Sequence, residues 1–123
     1  MKSTIAIITN DILFSSLFVP LLKRSIPEVE ILICGNYKEI DKKSENTSCE
    51  LILVDGGLSG LSCIEVIQYL RMSKHILSPV WLFPEIHTPV YIQKAKETGV
   101  NKFISKPFDP YSIVEEITSI FTK

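Results

Sequence analysis

Leu51-Ile52-Leu53-Val54-Asp55-Gly56-Gly57-Leu58-Ser59-Gly60-Leu61-Ser62 reads as a buried strand running into a turn. The four aliphatic residues do not alternate with polar ones, so both faces of the strand are covered, as in a parallel sheet flanked by helices. Asp55 then falls at the strand's carboxyl end, the edge where open α/β sheets hold their ligands. Beyond the glycines, Ser62 and Glu65 form a capping box, and Cys63, Ile67 and Leu70 recur at helical spacing.

The same grammar repeats on either side. Ile5–Ile8, Val29–Cys34, Val80–Phe83 and Lys102–Ile104 are short β-branched or aromatic runs, and with the central one they make five predicted strands. Thr88-Pro89 is a helix start, with Gly99 where a left-handed cap belongs. Asp109-Pro110 is another start, followed by an apolar stripe of Ile113, Ile117, Ile120 and Phe121. Asp11 to Arg24 is helical in character, but Pro20 removes an N–H and crowds the Ser16 carbonyl at a cost of ~3 kcal/mol, which predicts a kink or an early end. Asn36 predicts a short helix over Tyr37–Lys42, and Lys43 to Ser48 an exposed loop. Five βα units with right-handed crossovers place helices on both sides of the sheet. Asp11, Asp55 and Lys106 follow the first, third and fifth strands, so two carboxylates and an ammonium are expected in one crevice.

The 123 residues suit one domain, 1–123, and a 46% hydrophobic fraction is enough for a core. Net charge is −1 with the signs mixed, which argues against nucleic acid as a partner. Cys34, Cys49 and Cys63 are odd in number and lack metal-ligand spacing, so a reduced, cytoplasmic setting is expected. Thr4 to Ile8 is too short for a signal-peptide core or a membrane span. His75 and His87 lie where neither activates Ser59 or Ser105, so an esterase-like role is disfavoured. Thr9-Asn10-Asp11-Ile12-Leu13 carries an acid and no glycine, unlike the phosphate cradle of a flavodoxin-type carrier.

The unit around Asp55 and the segment Lys102-Phe103-Ile104-Ser105-Lys106-Pro107-Phe108-Asp109-Pro110 together resemble the CheY-like receiver domain of two-component response regulators, over the whole chain. The resemblance implies a doubly wound (βα)5 fold with strand order 2-1-3-4-5. It makes Asp55 the acceptor of a phosphoryl group from a histidine kinase or phosphotransfer protein. Asn10-Asp11 becomes the acidic pair with its first member neutral, and Lys106-Pro107 the lysine and cis-proline. The Gly57 carbonyl joins Asp11 and Asp55 as a Mg²⁺ ligand. The physics agrees: phosphoryl transfer needs in-line positioning and charge neutralisation, which a hard cation on carboxylates and a lysine supply. Lys106 also lowers the cost of holding two carboxylates close. Such a protein is not an enzyme in the ordinary sense. It signals to a downstream protein through the fourth predicted helix, the fifth strand and the fifth helix, where Phe103 and Tyr111 lie, and it is compatible with a homodimer.

Three departures from the family pattern stand out. Pro84 takes the place of the hydroxyl residue after strand four and donates nothing, so the phosphoryl group loses a charge-assisted hydrogen bond worth ~1.5–3 kcal/mol. The coupling of that hydroxyl to Phe103 is expected to be broken or weakened. Glu85 stands where a small residue is usual, and its charge is expected to repel an incoming donor unless it swings into solvent. Asn10 leaves one fewer negative charge, so Mg²⁺ binding is expected to be weak. The alternative reading is a phosphorylation-independent interaction module. Trp81 is expected in the core.

Overall fold

The computed structural model describes residues 3–35, 49–56 and 63–121. The expected helix over 37–42, the loop to 48, the capping box at Ser62, Ser59 and Gly57 all lie outside them. Five parallel strands, β1 (Thr4–Ile8), β2 (Glu30–Cys34), β3 (Leu51–Asp55), β4 (Val80–Phe83) and β5 (Lys102–Phe103), make one sheet in the order β2-β1-β3-β4-β5. The four helices among the described residues are α1 (Ile12–Ser25), α2 (Cys63–Gln68), α3 (Pro89–Thr98) and α4 (Pro110–Phe121). Thus α3 and α4 are the fourth and fifth helices of the sequence reading.

Alternation along the strands divides the core into two layers. Ile5, Ile7, Leu51, Leu53, Trp81 and Phe83 point to one face, where Phe14, Phe18 and Leu22 of α1 and Ile113, Val114 and Ile117 of α4 cover them. Ala6, Ile8, Ile52, Val54, Val80 and Leu82 point to the other, under Cys63, Ile64 and Ile67 of α2 and Ala95 of α3. Every residue of β1, β3 and β4 is buried, the expected signature of strands covered on both faces.

Thr88 caps α3 by accepting from the Tyr91 N–H at 3.3 Å, and Gly99 closes it with φ 123°. Asp109 starts α4 by accepting from the Tyr111 N–H at 3.0 Å. The helix α1 does not end early at Pro20 but runs on to Ser25. Pro20 and Ser16 lie on the exposed face, where water can serve the deprived carbonyl. Phe14, Phe18 and Leu22 anchor the other face, and burying such side chains stabilises by ~1.5–3 kcal/mol each. After α2 the chain widens into a π-helical segment, Tyr69–Ser73, that the spacing of Ile67 and Leu70 does not reveal.

Candidate functional site

The parallel register brings the site residues to one edge. Ile8 pairs with Val54, which sets Thr9 level with Asp55, and Asp55 pairs with Phe83, which puts Pro84 and Glu85 just beyond. Gly56 makes this approach feasible: its N–H donates to the Phe83 carbonyl at 2.8 Å, and a Cβ there would stand 2.4 Å from that oxygen.

Asp55 is 3% exposed, and a carboxylate so buried needs hydrogen-bond partners. Its Oδ1 accepts from Lys106 Nζ at 3.0 Å, and its Oδ2 from the Thr9 hydroxyl at 2.7 Å. The Lys106–Pro107 peptide is cis. Lys106 Nζ also donates to Glu85 Oε1 at 3.0 Å and lies 5.8 Å from the centre of the Phe14 ring. Phe14, Phe83 and Phe108 pack edge to face beneath, with centroids 4.9, 5.0 and 6.4 Å apart. Desolvation alone pulls the Lys106 ammonium down, but hydrogen bonds and charge from Asp55 and Glu85 outweigh it, so its pKa is raised.

Asp11 joins this group through its backbone. Its N–H donates to Thr9 Oγ1 at 3.0 Å, while its Oδ1 accepts from the Leu13 N–H at 2.9 Å and so caps α1. Asn10 and Asp11 are exposed, Pro84 is buried, and Phe103 is half-buried against the α2 and α3 layer. Trp81 is in the core as expected. Glu85 neither swings away nor stands as an unneutralised charge, because Lys106 holds it at the mouth of the site. Sequence reasoning passed over Thr9. The available signal was a hydroxyl residue directly after the first strand, one place ahead of the Asn10-Asp11 pair.

Among the described residues no three His, Cys, Asp or Glu side chains group closely enough to hold a metal ion. Asp11 and Asp55 carry hard carboxylate oxygens of the kind Mg²⁺ takes while keeping much of its water, although here Asp11 Oδ1 caps α1 and both Asp55 oxygens accept hydrogen bonds from Thr9 and Lys106. The arrangement sets a buried carboxylate beside an ammonium that a second carboxylate also holds.

The chain's fold is similar to that of the chemotaxis response regulator CheY4 of Vibrio cholerae, at 16% identity over 98% of this chain and 99% of that one, with a TM-score of 0.79. A two-component response regulator from Clostridium difficile is similar at 18% identity over 98% and 97%, with a TM-score of 0.82. A response regulator from Thermotoga maritima matches at 15% identity over 100% of both chains, with a TM-score of 0.78. No curated protein matches the sequence. The family model for the response regulator receiver domain matches residues 5–118, and with the sheet order and the Asp55–Lys106 pair in place, the chain belongs to that family of signalling modules.

Proposed function

We propose that this receiver domain, spanning 1–123, accepts a phosphoryl group on Asp55 from a histidine kinase or phosphotransfer protein and signals by protein contact. The 3.0 Å pairing of Asp55 Oδ1 with Lys106 Nζ carries this reading, because it sets a nucleophilic oxygen beside a fixed positive donor at the ligand-binding edge of the sheet. In the transfer, a carboxylate oxygen forms the new P–O bond while the P–N bond of the phosphohistidine breaks and its electron pair stays on the imidazole nitrogen. Mg²⁺ would be held by Asp11, Asp55 and, by the family resemblance, the Gly57 carbonyl, and would supply neutralising charge on the transferring oxygens. Lys106 exchanges its bond to Asp55 for one to the phosphoryl group. Glu85 competes for the same ammonium and so slows entry.

Pro84 withholds the donor expected after β4, so the acyl phosphate forms without that bond and Phe103 is not drawn inward through it. Val90 on α3, 80% exposed, and Tyr111 on α4, 68% exposed, support a partner surface over α3, β5 and α4. The cysteine usage supports a cytoplasmic setting, and among the described residues no helix is long and apolar enough to cross a membrane. Incubation with acetyl phosphate and Mg²⁺ is expected to add about 80 Da to the wild-type chain and nothing to Asp55→Asn. A wild-type chain that gains no mass at any Mg²⁺ concentration would overturn the proposal in favour of a phosphorylation-independent module.

A further inference from the structure

The Thr9 hydroxyl is committed on both sides. It is buried, with 4% of the residue exposed, and its backbone N–H is tied to the Cys34 carbonyl at 2.9 Å. Because Oγ1 accepts from the Asp11 N–H at 3.0 Å, its own proton is directed to Asp55 Oδ2, 2.7 Å away. Asp55 Oδ1 faces different company: Lys106, with its side chain 36% exposed, and beyond it Glu85, 53% exposed. One carboxylate oxygen is thus bonded to a buried hydroxyl, and the other to an ammonium that reaches solvent.

From this asymmetry we infer that Thr9 is a positioning residue that reserves Oδ1 for attack on phosphorus and shortens the lifetime of the acyl phosphate that results. The inference rests on the acceptor reading of Asp55. When Oδ1 attacks acetyl phosphate, a P–Oδ1 bond forms, the P–O bond to acetate breaks, and acetate leaves with the electron pair. Oδ2 becomes the carbonyl oxygen of the mixed anhydride and keeps the hydrogen bond from the Thr9 hydroxyl. In hydrolysis, water oxygen bonds to phosphorus and the P–Oδ1 electron pair returns to the carboxylate, while a water proton passes to solvent. The returning charge is shared with Oδ2. A donor binds an anionic oxygen about twice as strongly as a neutral one, so Thr9 favours the departing carboxylate over the anhydride. Pro84 supplies no opposing donor to the phosphoryl group. The hydroxyl that this site does have therefore acts on the leaving group.

The test follows decay of the 80 Da adduct in the full chain after acetyl phosphate is removed, with Mg²⁺ held constant. Thr9→Val is expected to decay about tenfold more slowly, the scale of one hydrogen bond to a charged group, and Thr9→Ser to decay as wild type. A crystal structure of the wild-type protein with Mg²⁺ and beryllofluoride is expected to show beryllium on Oδ1 and Thr9 still bonded to Oδ2. Equal decay in Thr9→Val and wild type, or beryllium on Oδ2, overturns the inference while leaving Asp55 as acceptor. Should Thr9→Val fail to fold, the oxygen carrying beryllium in the wild-type adduct decides the matter. A wild-type chain that takes neither adduct instead overturns the acceptor reading and this inference with it.

Discussion

Lys106 stands 3.0 Å from each of two carboxylates, one buried and one exposed, and the raised pKa of its ammonium follows from that position. A lysine raised in the folded state contributes stability that is present below its ordinary range and lost as pH climbs through the folded value. The Lys106 ammonium therefore persists through neutral pH, although solvent at this partly exposed group keeps the Glu85 contribution small. Replacing Glu85 by Gln removes one of the two anions while desolvation remains, so the Lys106 pKa is expected to fall. An NMR titration of the lysine Nζ reads this directly, and an unchanged value would show that Glu85 does not act on the ammonium. Asp55 and Lys106 were legible in the sequence because each closes an apolar run. Thr9 and the Glu85–Lys106 link were not, since a hydroxyl after a strand is common and a glutamate's partner depends on which strand lies beside it. Asp11 shows both sides of this: the family motif marks it as a metal ligand, while its carboxylate in the structure caps α1.

At the level of elements, β-branched runs, caps and helical spacing sufficed to place the strands and the helices α2, α3 and α4, since burial and N-terminal capping leave marks on residue type, whereas α1 runs past the break expected at Pro20. The π-helical segment leaves none. Arg71 holds it by donating to the carbonyls of Ile76, Ser78 and Gly99 at 2.8, 2.7 and 2.8 Å and to Asn101 Oδ1 at 2.9 Å. Every residue has a carbonyl, so these acceptors cannot be recognised from sequence. Gly99 belongs to the same arrangement: its φ of 123° disfavours a side chain, and a Cβ would meet Arg71 Nε at 2.8 Å. Arg71→Ala is expected to destabilise by ~2–4 kcal/mol, because several half-buried acceptors lose a charged donor together. Arg71→Lys should restore only part, since one ammonium cannot span the same fork. Urea unfolding midpoints check both; a loss for Arg71→Ala below ~0.5 kcal/mol, the ordinary scale for a surface change, would show the fork to be dispensable.

Across the molecule, the core layer under α2 and α3 encloses thiols as well as hydrocarbon. Burial first, and then the nearby Asp55 charge, pushes Cys63 from 9.0 to about 11. Burial and the charges of Glu50 and Glu30 do the same for Cys49. In the unfolded chain both thiols ionise first, so stability should be unaffected below pH 9.0 and fall as pH rises toward about 11. Alkylation by iodoacetamide near neutral pH should be slow until urea opens the fold, and rapid labelling of Cys63 in the native protein would contradict its placement. The sheet order follows from the family resemblance together with the crossover rule, whereas the division of Phe14, Phe18, Phe83 and Phe108 into one aromatic cluster needed coordinates. Trp81, the chain's single tryptophan, belongs to this layer yet has the Lys102 ammonium 4.9 Å from its ring centre, and Lys102 is ion-paired with Glu116 on α4. An effector that pulls either charge aside alters the electric field across the indole, and so shifts the colour of its emission. On the proposed partner surface, this indole would serve as an optical gauge of occupancy at β5 and α4, readable without an added dye.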